Sequence, residues 1–165
     1  MNGNRVSFDR YILQLANVAS LRGTCSKRQV GAVVADANKR IVAVSYNGPP
    51  SGQPHCIDYP CKGLALSAPV SHLACRAIHA EANALFSAGT AARGGTLAVT
   101  TSPCYACALL IVNAGIKTLI FAEENRLFTC EAATAESPRA LLIAAGIHFT
   151  HLKALDDRAK ENTQA

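Results

Sequence analysis

From Thr96 onward the sequence alternates between two hydrophobic periodicities, and that alternation restricts the fold more than any other feature. Short β-rich runs at 96–100, 118–122 and 148–152 are separated by helix-favouring segments at 104–114 and 138–145, which Gly115 and Gly146 close. Such a succession closes through right-handed crossovers, so the three strands are expected to lie parallel in one sheet with helices on its faces. Upstream, the runs 30–35 and 41–46 are joined by Asp-Ala-Asn-Lys-Arg and read as a hairpin that adds an antiparallel edge. An amphipathic helix is expected from about residue 7 to 22, with Ser7 as N-cap and Phe8, Ile12, Leu15 and Ala19 at helical spacing. Another runs from about 79 to 88 and leaves at Gly89. The expected architecture is α/β, a three-layer α/β/α sandwich with a mixed, roughly five-stranded sheet.

A chain of 165 residues suffices for one ordinary domain, so residues 1–165 are read as a single unit. With 50% hydrophobic and 16% charged residues the composition is that of a folding chain, although the polar tail from Asp156 is expected to fray. The longest apolar stretch, 106–112, is far below the ~18 residues that a spanning helix needs. Met-Asn-Gly-Asn-Arg at the start lacks the pattern of a secretory signal, so a soluble, cytoplasmic protein is expected. The net charge of +5 arises in residues 1–40, which hold seven Lys/Arg against two Asp. Such a cluster suits a phosphorylated small molecule or a nucleic acid, while a merely solvated face is the plainer alternative.

Seven cysteines in a chain without export signals favour thiolate metal ligation over a disulfide scaffold. Five of them, with three of the five histidines, fall between His55 and Cys107. Cys104 and Cys107 stand three apart at the start of a helix, so both sulfurs can meet one metal, and the helix N-terminus favours their charge. His79 completes a three-ligand set, and the open fourth position is what separates a catalytic zinc site from a closed structural one. Glu81 sits two residues after His79 at a helix start, where both side chains can reach beyond the helix end. Zinc acidifies a water towards a pKa of about 7, and Glu81 would take that proton and relay protons to the substrate. His79-Ala80-Glu81 followed by Pro103-Cys104-Tyr105-Ala106-Cys107 is the H-x-E, P-C-x-x-C signature of zinc deaminases.

Several further stretches sharpen this: Cys25-Ser-Lys-Arg-Gln-Val-Gly-Ala-Val-Val, Ser45-Tyr-Asn-Gly-Pro-Pro-Ser-Gly-Gln-Pro-His-Cys56, Arg76 to Ala84, Thr100 to Cys107 and Asn113-Ala-Gly-Ile-Lys. With them the sequence resembles the deoxycytidylate (dCMP) deaminases over about residues 7–152. The resemblance implies a cytidine deaminase-like fold and hydrolysis of dCMP to dUMP and ammonia, feeding thymidylate synthesis. It implies that Asn47 binds the deoxyribose, that the Ala80 backbone N–H meets the base carbonyl, and that Lys27 or Arg28 meets the 5′-phosphate. Arg28 is preferred because its guanidinium can be bidentate. It also implies a second, structural zinc near the long loop from Asn47 to Pro69, which carries five of the seven prolines. Cys25 and Cys56 stand where its ligands are expected; Cys61 and Cys75 complete the set, with His72 as the alternative and His55 also near. Metal closure adds directly to the folding free energy of such a loop. Cys130 reads as an isolated thiol. Kinship further implies hexamers regulated by dCTP and dTTP, with Mg²⁺ accompanying the nucleotide. Tyr105-Ala106 between the cysteines, and Phe121 where tyrosine is commoner, depart from the relatives and open the question of 5-substituted cytosines.

Two other functions fit the zinc motif. A tRNA adenosine deaminase, or one acting on a free nucleoside, would share it, but 5% aromatic residues and no Trp leave few stacking platforms for RNA. A non-catalytic zinc or nucleotide-binding protein would have no use for Glu81.

Overall fold

The computed structural model describes residues 5–66, 74–125, 128 and 137–152. The polar tail, His72 and Cys130 lie outside them. Helix α1 (Phe8–Ser20) starts where the Ser7 hydroxyl accepts the Arg10 N–H at 3.3 Å. Its buried stripe is Ile12, Leu13, Ala16 and Ala19, so Leu15 turns partly outward from the face that spacing alone suggested.

Strands β1 (Gly31–Ala35) and β2 (Ile41–Tyr46) form the expected hairpin. Its turn is held by the Asp36 carboxylate, which accepts the N–H groups of Asn38 and Arg40 at 2.9 and 2.8 Å. Beyond the long loop come α2 (Ala80–Ala88), β3 (Thr96–Thr101), α3 (Tyr105–Asn113), β4 (Thr118–Glu123), α4 (Pro138–Ala144) and β5 (His148–His151). The sheet order is β2-β1-β3-β4-β5, with β1 antiparallel to both neighbours and β3, β4 and β5 parallel. One row across it reads Val44, Val33, Ala98, Ile120, Thr150.

The period of two in the strands decides the layers. Val33, Ala98 and Ile120 face α1 with Ile12, Leu13 and Ala16. Ala32, Val34, Leu97, Val99 and Leu119 face the opposite way, onto Ala80 and Ala84 of α2, Ala108 and Ile111 of α3, and Leu142 of α4. The three-layer sandwich is therefore as expected. Gly31 is required by the close approach of α1: a Cβ there would meet the Ala16 carbonyl oxygen at 1.9 Å. Gly115 and Gly146 end the two crossover helices with φ of 74° and 66°, a conformation that glycine adopts freely. This arrangement brings the N-termini of α2 and α3 together beside the C-terminal ends of β3 and β4, the end of a parallel sheet where ligands sit.

Candidate metal and nucleotide site

His79 and Cys104 are both N-cap residues, with extended backbone (φ −68°, ψ 150° and φ −74°, ψ 171°), so each side chain projects beyond its helix. The approach to α2 is pinned by a bridge in which Ile78 and Gly48 exchange backbone hydrogen bonds at 2.8 and 3.2 Å. Cys107 follows in the first turn of α3. His79 Nδ1 lies 3.4 Å from Cys107 Sγ and 3.6 Å from Cys104 Sγ, and the three donor atoms lie within 4.8 Å of one another. Two sulfurs and one imidazole nitrogen at this spacing suit a zinc ion. Among the described residues this is the one set that meets that spacing. Exposure falls from His79 through Cys104 to Cys107, which leaves the open side towards the pocket.

The cluster shares negative charge. The hydrogen bond from Cys107, with a further contribution from His79, pulls the Cys104 thiol down to about 4 despite burial. Cys107 is pushed up, first by its hydrogen bond to Cys104 and then by burial. His79 is raised, first by its hydrogen bond to Cys104. A bound divalent cation would deprotonate both thiols outright. Glu81 is 4% exposed, and burial holds its carboxyl above the usual range, partly offset by its own backbone N–H, by His79 and by a hydrogen bond with Cys107. Because His79 is a cap rather than a helical residue, a two-residue spacing that would diverge within a helix converges here.

These groups open into a cavity of about 310 Å³, a size that accepts a small molecule. Lys27, Arg28, Asn47 and Ala80 all line it, together with His79, Glu81 and Cys104. Ala80 is the first residue of α2, where a backbone N–H has no partner within the helix. Asn47 is 7% exposed; its Oδ1 accepts the Val30 N–H and its Nδ2 donates to the Arg28 carbonyl, both at 2.8 Å. It thus fixes the backbone of Arg28 while retaining a second amide N–H. The Arg28 guanidinium meets the Glu123 carboxylate at 2.5 Å. Thr101, Ser102 and Asn125 line the cavity without having been assigned a role from sequence. Ser102 is 2% exposed, donates its backbone N–H to the Glu123 carbonyl and accepts the Asn125 N–H on its hydroxyl, both at 2.8 Å. Their position after parallel strands was the available signal.

Neither Tyr105 nor Phe121 lines the cavity. Phe121 is 1% exposed in the core, with ring centroids 5.0 Å from Phe128 and 5.2 Å from His151. The departures at these two positions therefore lie away from the pocket wall.

Cys25, Cys56, Cys61 and Cys75 line a second, small cavity of about 50 Å³, and all four are free thiols. Burial works against ionisation of Cys61, but hydrogen bonds from Cys56 and from the backbone N–H groups of Gly63, Leu64 and Arg76 outweigh it and lower its pKa. Cys75 accepts the Ala77 N–H, while burial and the other three sulfurs push it up. His55 points elsewhere, sharing a hydrogen bond with the Thr24 hydroxyl at 3.2 Å. Cys25 and Cys75 line both cavities.

Residues 6–123 match the family described as the cytidine and deoxycytidylate deaminase zinc-binding region. The deoxycytidylate deaminase of Schizosaccharomyces pombe is 35% identical over 152 residues, covering 90% of this chain and 45% of that protein. That of Mycobacterium phage D29 is 37% identical over 128 residues, covering 74% of this chain and 99% of that one. The crystal structure of dCMP deaminase from cyanophage S-TIM5 in complex with dCMP and dUMP superposes with a TM-score of 0.69 at 26% identity, covering 90% of this chain and 98% of that one. The chain thus spans less than half of the yeast relative and nearly all of the phage D29 one. With the zinc-type donors of His79, Cys104 and Cys107 gathered at the N-termini of α2 and α3, and with the family match running across both helices, the chain belongs to the cytidine and deoxycytidylate deaminase family.

Proposed function

We propose that this chain is a zinc-dependent deoxycytidylate deaminase that converts dCMP and water into dUMP and ammonia, supplying dUMP for thymidylate synthesis. The observation that carries the reading is the buried Glu81 converging on His79, Cys104 and Cys107 in a cavity whose wall also carries Lys27 and Arg28. His79, Cys104 and Cys107 would hold the zinc, which supplies a Lewis acid able to acidify a water at neutral pH. Glu81 takes the two protons of the attacking water in turn, passing the first to the ring nitrogen and the second to the amino group that departs as ammonia; its burial suits a group that must both accept and donate. The Ala80 N–H meets the base carbonyl and the remaining amide N–H of Asn47 meets the sugar. Arg28, with Lys27 beside it, takes the 5′-phosphate.

The same reading includes a second, structural zinc on Cys25, Cys56, Cys61 and Cys75. Its support is the shared cavity of four thiols and the backbone N–H groups aimed at Cys61, which favour thiolate. His72 stays the alternative ligand. Regulation by dCTP and dTTP with Mg²⁺ is drawn from kinship, and an open depression of about 840 Å³ along the loop from Gly48 to His55 is separate from the catalytic cavity and wide enough for a nucleotide. A hexamer, one deaminase domain over residues 1–165 and a cytoplasmic location complete the proposal; no helix among the described residues is long and apolar enough to cross a membrane.

The test is loss of ultraviolet absorbance with zinc-loaded protein and dCMP, 5-methyl-dCMP, deoxycytidine or dCTP, each with and without dCTP as activator. Turnover of dCMP abolished by Glu81→Gln supports the proposal. Silence on all four with two zinc ions bound overturns it and directs attention to a tRNA or to a binding role, the former recognised by a steep salt dependence.

A further inference from the structure

Arg28 and Glu123 stand 95 residues apart in sequence and meet at 2.5 Å, with their side chains 49% and 63% exposed. Arg28 lines the catalytic cavity, whereas Glu123 is not among its lining residues. Glu123 is the last residue of β4, and its carbonyl accepts the N–H of Ser102, which anchors it to the strand end that leads into Cys104. The backbone of Arg28 is fixed by Asn47, so the side chain alone is left to choose a partner.

We infer that Glu123 competes for Arg28 at the mouth of the cavity and must be displaced by the substrate's phosphate, so that it limits the affinity for the phosphorylated substrate. This rests on the reading of Arg28 as the phosphate contact. A half-exposed ion pair is weak because water screens it, so a dianionic phosphate offering two charge-assisted hydrogen bonds displaces the carboxylate. An uncharged nucleoside has nothing to offer the guanidinium and leaves the pair closed. The carboxylate also reduces capture of free inorganic phosphate by the empty site.

The experiment compares wild type, Glu123→Gln and Glu124→Gln by calorimetric titration with inorganic phosphate and by kinetics on dCMP and deoxycytidine. Glu123→Gln is expected to tighten phosphate and to lower KM for dCMP by about 2–5-fold, with kcat and the deoxycytidine rate within about twofold of wild type. Arg28→Ala in the Glu123→Gln background removes the gain. Unchanged or weaker phosphate binding in Glu123→Gln, or an equal gain in Glu124→Gln, which deletes the same charge one residue away, overturns the inference. If wild type fails to deaminate dCMP while the phosphate titration shifts as expected, the substrate reading falls and the role of Glu123 stands. Normal dCMP turnover with no shift gives the reverse.

Discussion

The two sulfur clusters use the same donor chemistry and differ in what carries them. His79, Cys104 and Cys107 project from the N-termini of two helices packed on the sheet, open onto a cavity of about 310 Å³ and have a buried carboxylate beside them. Cys25, Cys56, Cys61 and Cys75 come from segments with little regular structure beyond the 3-10 turn at Lys62–Leu64, and they enclose about 50 Å³. The first is built by the fold and leaves room for a reactant. The second lies where the chain has few other means of closure, so a metal there would serve the fold, while Cys25 and Cys75, lining both cavities, place it against the wall of the larger one.

The contrast can be broken most strongly at Cys56, which is 2% exposed. Cys56→Ser is expected to halve the zinc content measured by elemental analysis and to unfold the chain near 37 °C, because a structural zinc supplies ~10–16 kcal/mol to a small finger and even a fraction of that exceeds a typical margin of stability. Glu81→Gln tests the other cluster. It is expected to lower kcat by about 10²–10⁴-fold with two zinc ions retained. In the metal-free protein its melting temperature is expected not to fall: without a cation beside it, burial raises the folded-state pKa of Glu81, so the charged carboxylate destabilises the fold above the unfolded pKa, and glutamine relieves that cost.

Arg28→Ala sharpens the comparison on the shared wall. Loss of a charge-assisted contact of about 1.5–3 kcal/mol corresponds to a KM for dCMP higher by about 10–100-fold, with zinc content and thermal unfolding unchanged. The smallest effect is expected at Ser26, whose hydroxyl donates to the Cys56 carbonyl at 2.8 Å and ties the two loop segments together. Ser26→Ala should cost ~1 kcal/mol, read as a fall of about 2–4 °C in Tm, with kcat intact.

The sheet and the cluster of His79, Cys104 and Cys107 were legible because their signals are local. Strand and helix periods are written within about 5–15 residues, and His-x-Glu and Cys-x-x-Cys each set their polar side chains within a few residues of one another at a helix start. Strand β1 was legible as half of a hairpin, but its place between β2 and β3 was not, since pairing such as Val33 with Ala98 joins residues far apart in sequence. The rotation of α1 that buries Leu13 and Ala16 in place of Leu15 was likewise set by packing against Val33, Ala98 and Ile120.

By itself, then, the sequence determined the α/β class, the three zinc-type donors and the carboxylate beside them, because each depends on neighbours in the chain. Tertiary structure alone decided that Glu81 is buried, that Ser102 and Asn125 close the cavity, that four cysteines spread over residues 25–75 share one small space, and that Arg28 meets Glu123. Each of these is a contact between distant segments, and its energy comes from chain closure and packing, for which no local pattern of residues is a sign.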